Sequence, residues 1–157
     1  MNNIESILKQ LGITNYTVNI DLTVTVNGDC DLFNKNLNEL PCNFKEIHGN
    51  FYCDYNQLTS LQGCPQTING NFYCFNNQLT SLHGCPQIVR GGFYCYNNNL
   101  TSLHGCPKII RGDFFCTNNQ LSSLEDCPQI IHGNFDCEEH LKCTKEYKLY
   151  LINRKLS

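Results

Sequence analysis

A period of 21 residues runs through the middle of this chain without an insertion or deletion, and it constrains the fold more than any other feature. Phe51, Phe72, Phe93, Phe114 and Phe135 recur at that interval, and so do Cys53, Cys74, Cys95, Cys116 and Cys137. Asn56, Asn77, Asn98 and Asn119 come next, then leucine columns beginning at Leu58 and Leu61, then Cys-Pro pairs at Cys64, Cys85, Cys106 and Cys127. An unbroken register requires equivalent coils, stacked so that same-numbered positions lie above one another. Val26, Gly28, Cys30, Leu32, Leu37 and Leu40 fit that register one period earlier, as a degenerate first coil.

Within a coil, Ile68-Asn-Gly-Asn-Phe-Tyr-Cys74 alternates with the period of a strand that buries one face, here Ile68, Gly70, Phe72 and Cys74. Six such segments start near Val26, Ile47, Ile68, Val89, Ile110 and Ile131. They predict one parallel β-sheet of about six strands, spanning about 24 Å. Leu82 and Cys85 then turn apolar groups inward, and Pro86 suits an extended return with no donor to satisfy. The glycine column from Gly28 to Gly133 needs a backbone reason, either a bulge or a close approach of neighbouring coils.

A stack of coils has two open ends, and both flanks carry patterns suited to covering them. Ile4, Ile7, Leu8 and Leu11 have helical spacing with Gly12 as a stop, after which Val18, Ile20, Leu22, Val24 and Val26 alternate as one or two strands. At the other end Thr144 can cap a helix running to about Lys155, with Tyr147, Tyr150 and Leu151 on one face. The expected architecture is an α+β solenoid in a single domain over residues 1–157: an N-terminal helix/strand cap over 1–21, repeats over 22–138 and a C-terminal helical cap over 139–157.

The pattern Phe72-x-Cys74-x-x-Asn77-x-Leu79-x-x-Leu82 resembles the leucine-rich repeat family over about residues 22–138. The stretch from Leu79 to Pro86 is similar to the short repeats of bacterial effectors, with Cys85 where those repeats have leucine and one extra residue between Val89 and Phe93. Similar repeats occur in uncharacterised phage and giant-virus proteins. The resemblance implies a leucine-rich repeat stack, asparagines bonded to the backbone of neighbouring coils, and a viral source acting in the host cytoplasm. It supplies no activity.

Twelve cysteines raise the question of a disulfide framework. Most fall in two columns where related repeats carry apolar side chains, and free cysteine packs as a small hydrophobe. In registered coils their Cβ atoms would lie about 4.8 Å apart, beyond the usual disulfide span. Oxidised pairs stay open chiefly for the out-of-register Cys30, Cys42 and Cys143. The spacing Cys137-x2-His140-x2-Cys143 has the form of a metal site but lacks an evident fourth ligand, so no metal or cofactor is expected. Charged residues are only 16%, the net charge is −3 and no basic block occurs, which argues against nucleic acid and anionic membranes as partners. The amino terminus has an acidic residue and no long apolar run, so neither a signal peptide nor a membrane span is expected, and the chain reads as intracellular. Serines belong to the repeat, no phosphate-binding glycine loop occurs and the carboxylates are scattered, so no enzyme is expected.

Function is then sought on the outward strand face. One column is His48, Asn69, Arg90, Arg111 and His132, and the next is Asn50, Asn71, Gly92, Asp113 and Asn134. The third is Tyr52, Tyr73, Tyr94, Phe115 and Asp136, and the fourth is Asp54, Phe75, Tyr96, Thr117 and Glu138. Six aromatics in two adjacent columns predict a docking patch for another protein, formed by Tyr52, Tyr73, Phe75, Tyr94, Tyr96 and Phe115, with Arg90 and Arg111 beside it to meet an acidic partner residue. Self-association of a structural component and carbohydrate binding are the alternatives.

Overall fold

The structure is a computed structural model that describes residues 3–155, and of residues 152, 154 and 155 the backbone alone. Helix α1 (Asn3–Gln10) leads into an antiparallel hairpin of β1 (Tyr16–Val18) and β2 (Val24–Val26), followed by β3 (Cys30–Asp31). Every later coil then contributes two short strands. These are β4 (Phe44–Ile47) with β5 (Phe51–Tyr52), β6 (Thr67–Ile68) with β7 (Phe72–Tyr73), and β8 (Ile88–Val89) with β9 (Phe93–Tyr94). The last two coils supply β10 (Ile109–Ile110) with β11 (Phe114–Phe115) and β12 (Ile130–Ile131) with β13 (Phe135–Asp136). A single 3-10 turn (Glu139–Leu141) and helix α2 (Lys145–Lys155) complete the described chain.

These strands form a β-solenoid of about five turns. The register is that of the 21-residue period, with Phe51 opposite Phe72 and Phe72 opposite Phe93. The single sheet expected from the alternation is instead two: seven strands in the order β1-β2-β4-β6-β8-β10-β12, and six in the order β3-β5-β7-β9-β11-β13. The cause lies at the glycines. Gly70 N donates to Gly49 O at 2.9 Å and Gly91 N to Gly70 O at 2.9 Å, so the glycines stack backbone to backbone. A Cβ on Gly70 would lie 2.7 Å from the carbonyl carbon of Gly49, a separation that only glycine permits. Donation also reverses here, since Asn69 and Gly70 donate to the preceding coil whereas Phe72 and Cys74 donate to the following one. Each coil therefore bends between two sheets while its inward and outward alternation continues.

The core is one cluster running the length of the stack. Ile68, Phe72, Cys74, Leu79 and Leu82 of one coil are fully buried and repeat their positions in the next. The inward phenyl rings of Phe51, Phe72, Phe93, Phe114 and Phe135 follow one another at 5.1–5.7 Å between centroids. Beside them the asparagine column closes the backbone accounts of adjacent coils. Asn77 Nδ2 donates to Cys53 O at 2.9 Å and to Cys74 O at 3.2 Å, while its Oδ1 accepts from Leu58 N at 2.9 Å. Asn56, Asn98 and Asn119 repeat the arrangement. The residue before each is left-handed: Asn76, Asn97 and Asn118 have φ of 51–54°, a region asparagine tolerates.

All twelve cysteines are free thiols; those of the two periodic columns are buried or half-buried, and Cys143 is exposed. Burial pushes the thiols up, to about 12 for Cys42, Cys127 and Cys137 and well above the ordinary value for Cys74. At the two ends, Leu8 of α1 is fully buried, and the rings of Tyr147 and Tyr150 lie 5.4 and 5.2 Å from that of Phe135. Three apolar residues depart from expectation. Ile20 and Leu22 are exposed on the turn joining β1 to β2, where Leu22 has φ of 62°, and Leu151 faces away from the core.

Candidate functional site

The outward positions of the six-stranded sheet carry the aromatic columns. Because Phe72 and Cys74 point inward, Tyr73 and Phe75 must point outward. Tyr52, Tyr73 and Tyr94 stack with centroids 4.9 and 4.8 Å apart and planes within 3° and 7° of parallel. Phe115 ends that column edge-on at 5.4 Å. Phe75 and Tyr96 stack at 4.4 Å, and Tyr73 meets Phe75 edge-on at 6.4 Å, which joins the columns into one patch. All six rings are half-buried, packed on each other with part of each left in water.

The tyrosines lean back over the position two residues earlier. Asn71 Nδ2 donates to Tyr73 Oη at 3.0 Å, and a Cβ on Gly92 would lie 2.8 Å from Cζ of Tyr94. Burial raises the hydroxyl pKa of Tyr52, Tyr94 and Tyr96, with Asp29 adding to it at Tyr52 and Asp113 at Tyr94, so these rings stay neutral at physiological pH.

Arg90 and Arg111 are exposed and lie across the glycine bend from the rings, in the column of His48, Asn69 and His132. Arg90 Nε donates to Asn69 Oδ1 at 3.1 Å. The patch proper consists of the six aromatics, with the arginines at its margin.

Three further residues belong to the patch. Phe33 stands one period before Asp54, so it extends the Phe75 column into the first coil. Tyr55 occupies the left-handed position that asparagine fills at 34, 76, 97 and 118, with φ of 53°. Its ring bridges Phe33 and Phe75, edge-on to both at 5.4 and 5.5 Å. Asp54, expected on the solvent face, is only 4% exposed, and its Oδ1 has no hydrogen-bond partner among the described residues. Burial pushes its carboxyl up to about 6, with Asp31 adding to the shift and its own backbone N–H opposing it. The readable signals were one period of arithmetic for Phe33 and the single tyrosine in an asparagine column for Tyr55.

A second apolar column lies on the other sheet. Ile88, Ile109 and Ile130 are 46–48% exposed on the outer side of the seven-stranded sheet. The other constellations in the sequence do not converge. Cys137 is buried, whereas His140 and Cys143 are exposed, and Cys143 Sγ donates to His140 O at 3.2 Å. No group of three or more potential ligands that could hold a metal occurs among the described residues. On the return side His83 is exposed and His104 Nδ1 lies 3.2 Å from Asp126 Oδ2. No helix among the described residues is long and apolar enough to cross a membrane. No protein-family model matches the chain, and neither does any curated protein or solved structure.

Proposed function

We propose that this chain is a non-catalytic recognition module of leucine-rich repeat type, which binds another protein through the outward face of its six-stranded sheet. The observation that carries the reading is the continuous patch of Tyr52, Tyr73, Tyr94, Phe115, Phe75 and Tyr96, held at ring spacings of 4.4–6.4 Å and partly open to water. Rings fixed by mutual stacking lose little entropy on binding, and aromatic side chains dominate the energetic centres of protein interfaces. Arg90 and Arg111 form the rim. The repeat-family assignment is supported by the asparagine ladder and paired leucine columns. Buried Leu8 and the tyrosine contacts to Phe135 support reading residues 1–21 and 139–157 as caps.

The test is a double variant, Phe75→Ser with Tyr94→Ser, which removes outward rings and leaves the core untouched. It should keep the circular dichroism of the parent and lose capture of the partner from the native source; unchanged recovery would overturn the reading. Self-association is the second reading, favoured by the exposed column of Ile88, Ile109 and Ile130. Light scattering across a concentration series separates the two, since a self-assembling chain grows and a heterophilic binder does not.

A further inference from the structure

We propose that the partner docks a cationic side chain, an arginine or lysine of a basic protein segment, over Asp54 within the ring cluster of Phe33, Tyr55 and Phe75. The inference rests on the reading of the aromatic face as the docking surface and names the chemistry of what docks there.

Two independent features converge on that chemistry. The first is Asp54 itself, a carboxyl that is 4% exposed, stands at an outward register position and has an oxygen without a partner. A buried acid left unpaired is costly, and the cost is relieved when a cation reaches it. Next to it in the chain, Tyr55 is half-exposed, is held at a left-handed φ where the other coils carry asparagine, and sets its ring edge-on between Phe33 and Phe75. A cation entering there meets the carboxyl together with aromatic rings, both of which attract it. The burial that lifts the acid toward neutral pH means that an arriving cation would also draw Asp54 into its charged form.

The second feature is the charge of the whole face. The outward columns of the six-stranded sheet contain Asp29, Asp31, Asp54, Asp113, Asp136 and Glu138, and no lysine, arginine or histidine. Only Asp136 has an ion-pair partner among the described residues, Lys142 Nζ at 3.0 Å. Asp29, Asp31 and Asp113 accept backbone N–H groups of Asn50, Phe33 and Asn134, so their negative charge is held in place and not neutralised. Such a face attracts a basic segment and repels a second copy of itself. An acidic partner would have to avoid these columns and use Arg90 and Arg111.

The experiment titrates isotope-labelled protein at pH 7 with three capped nonapeptides in which glycine alternates with arginine, lysine or glutamate. The basic peptides are expected to shift the amide signals of Asp54, Tyr55 and Phe75 more than those of His83 or Ile109, and the glutamate peptide to shift none of them. Asp54→Asn, close in shape and folded by circular dichroism, is expected to weaken the basic peptides at least tenfold. Asp126→Asn, which removes the same charge from the return side, should leave their affinity unchanged. Tyr55→Asn, which restores the residue of the other coils, should also weaken binding. No binding of either basic peptide, binding of the glutamate peptide, or equal effects of Asp54→Asn and Asp126→Asn would each overturn the proposal. Should these fail while the Phe75→Ser, Tyr94→Ser variant still loses its partner, the aromatic face stands and only its cationic specificity falls.

Discussion

Gly28 and Gly70 hold the same place two coils apart, yet they answer to different constraints. A Cβ on Gly28 meets nothing within 4 Å, because no coil precedes it, whereas one on Gly70 would stand 2.5 Å from Asn50 Oδ1 and 2.7 Å from Gly49. Gly70→Ala should therefore destabilise by about 3 kcal/mol or more, through backbone displacement, and Gly28→Ala by less than about 1 kcal/mol. Urea denaturation of the pair checks this, and equal losses would contradict the stacking argument. Asp54 sets a second test at this scale. Its folded pKa of about 6 lies above the ordinary 3.8, so between those values the folded protein holds a proton that the unfolded chain has lost. Stability then falls as pH rises from about 4 to 6 and levels off above. Asp54→Asn should remove that dependence and gain on the parent above pH 6, as thermal melts at pH 4 and pH 7 would show. The glycine column could be read from the sequence as a backbone demand. The burial of Asp54 could not, because its register position is an outward one and the alternation alone assigns it to solvent.

Each coil is an element joined to its neighbours by backbone ladders and, beside them, by one asparagine amide. Asn77→Ala would leave Leu58 N without its side-chain partner inside the stack and reduce Cys53 O to the bond from Asn56 Nδ2, and the expected loss is about 3 kcal/mol in urea. Asn77→Asp keeps an acceptor for Leu58 N but has no donor for the carbonyls, so it should recover little of the loss. The element that the sequence misrepresents is the strand itself. Alternation from Ile68 through Cys74 runs on unbroken across the glycine, so a period of two cannot reveal that the chain turns from one sheet into another there. The hairpin illustrates the converse. Val18 to Val26 alternates throughout, but Asn19, Ile20, Asp21 and Leu22 form the turn, with Asn19 N accepted by Thr23 O at 2.8 Å, and the alternation of Ile20 and Leu22 is incidental.

The molecule as a whole is one core shared by every coil, so thiol access reports on its cooperativity. Alkylation of native protein at pH 8 should modify the exposed Cys143 first, while Cys53, Cys74, Cys95 and Cys116, buried and with raised pKa values, should react only at the rate of unfolding. Mass spectrometry of timed samples distinguishes this from uniform labelling. At this scale the register made the inward and outward columns legible, which is why the six rings of the patch could be named from the period alone. Phe33, Tyr55 and the exposed isoleucines were harder to see because they depart from the repeat or sit beside its clearest columns. The central claim is that those outward rings meet a partner, and the most direct test is photo-crosslinking in extract of the native source. With benzoylphenylalanine at position 73 the account calls for a discrete protein adduct, and with the same group at His83 on the return side it calls for none. An adduct formed from position 83 and absent from position 73 would contradict it.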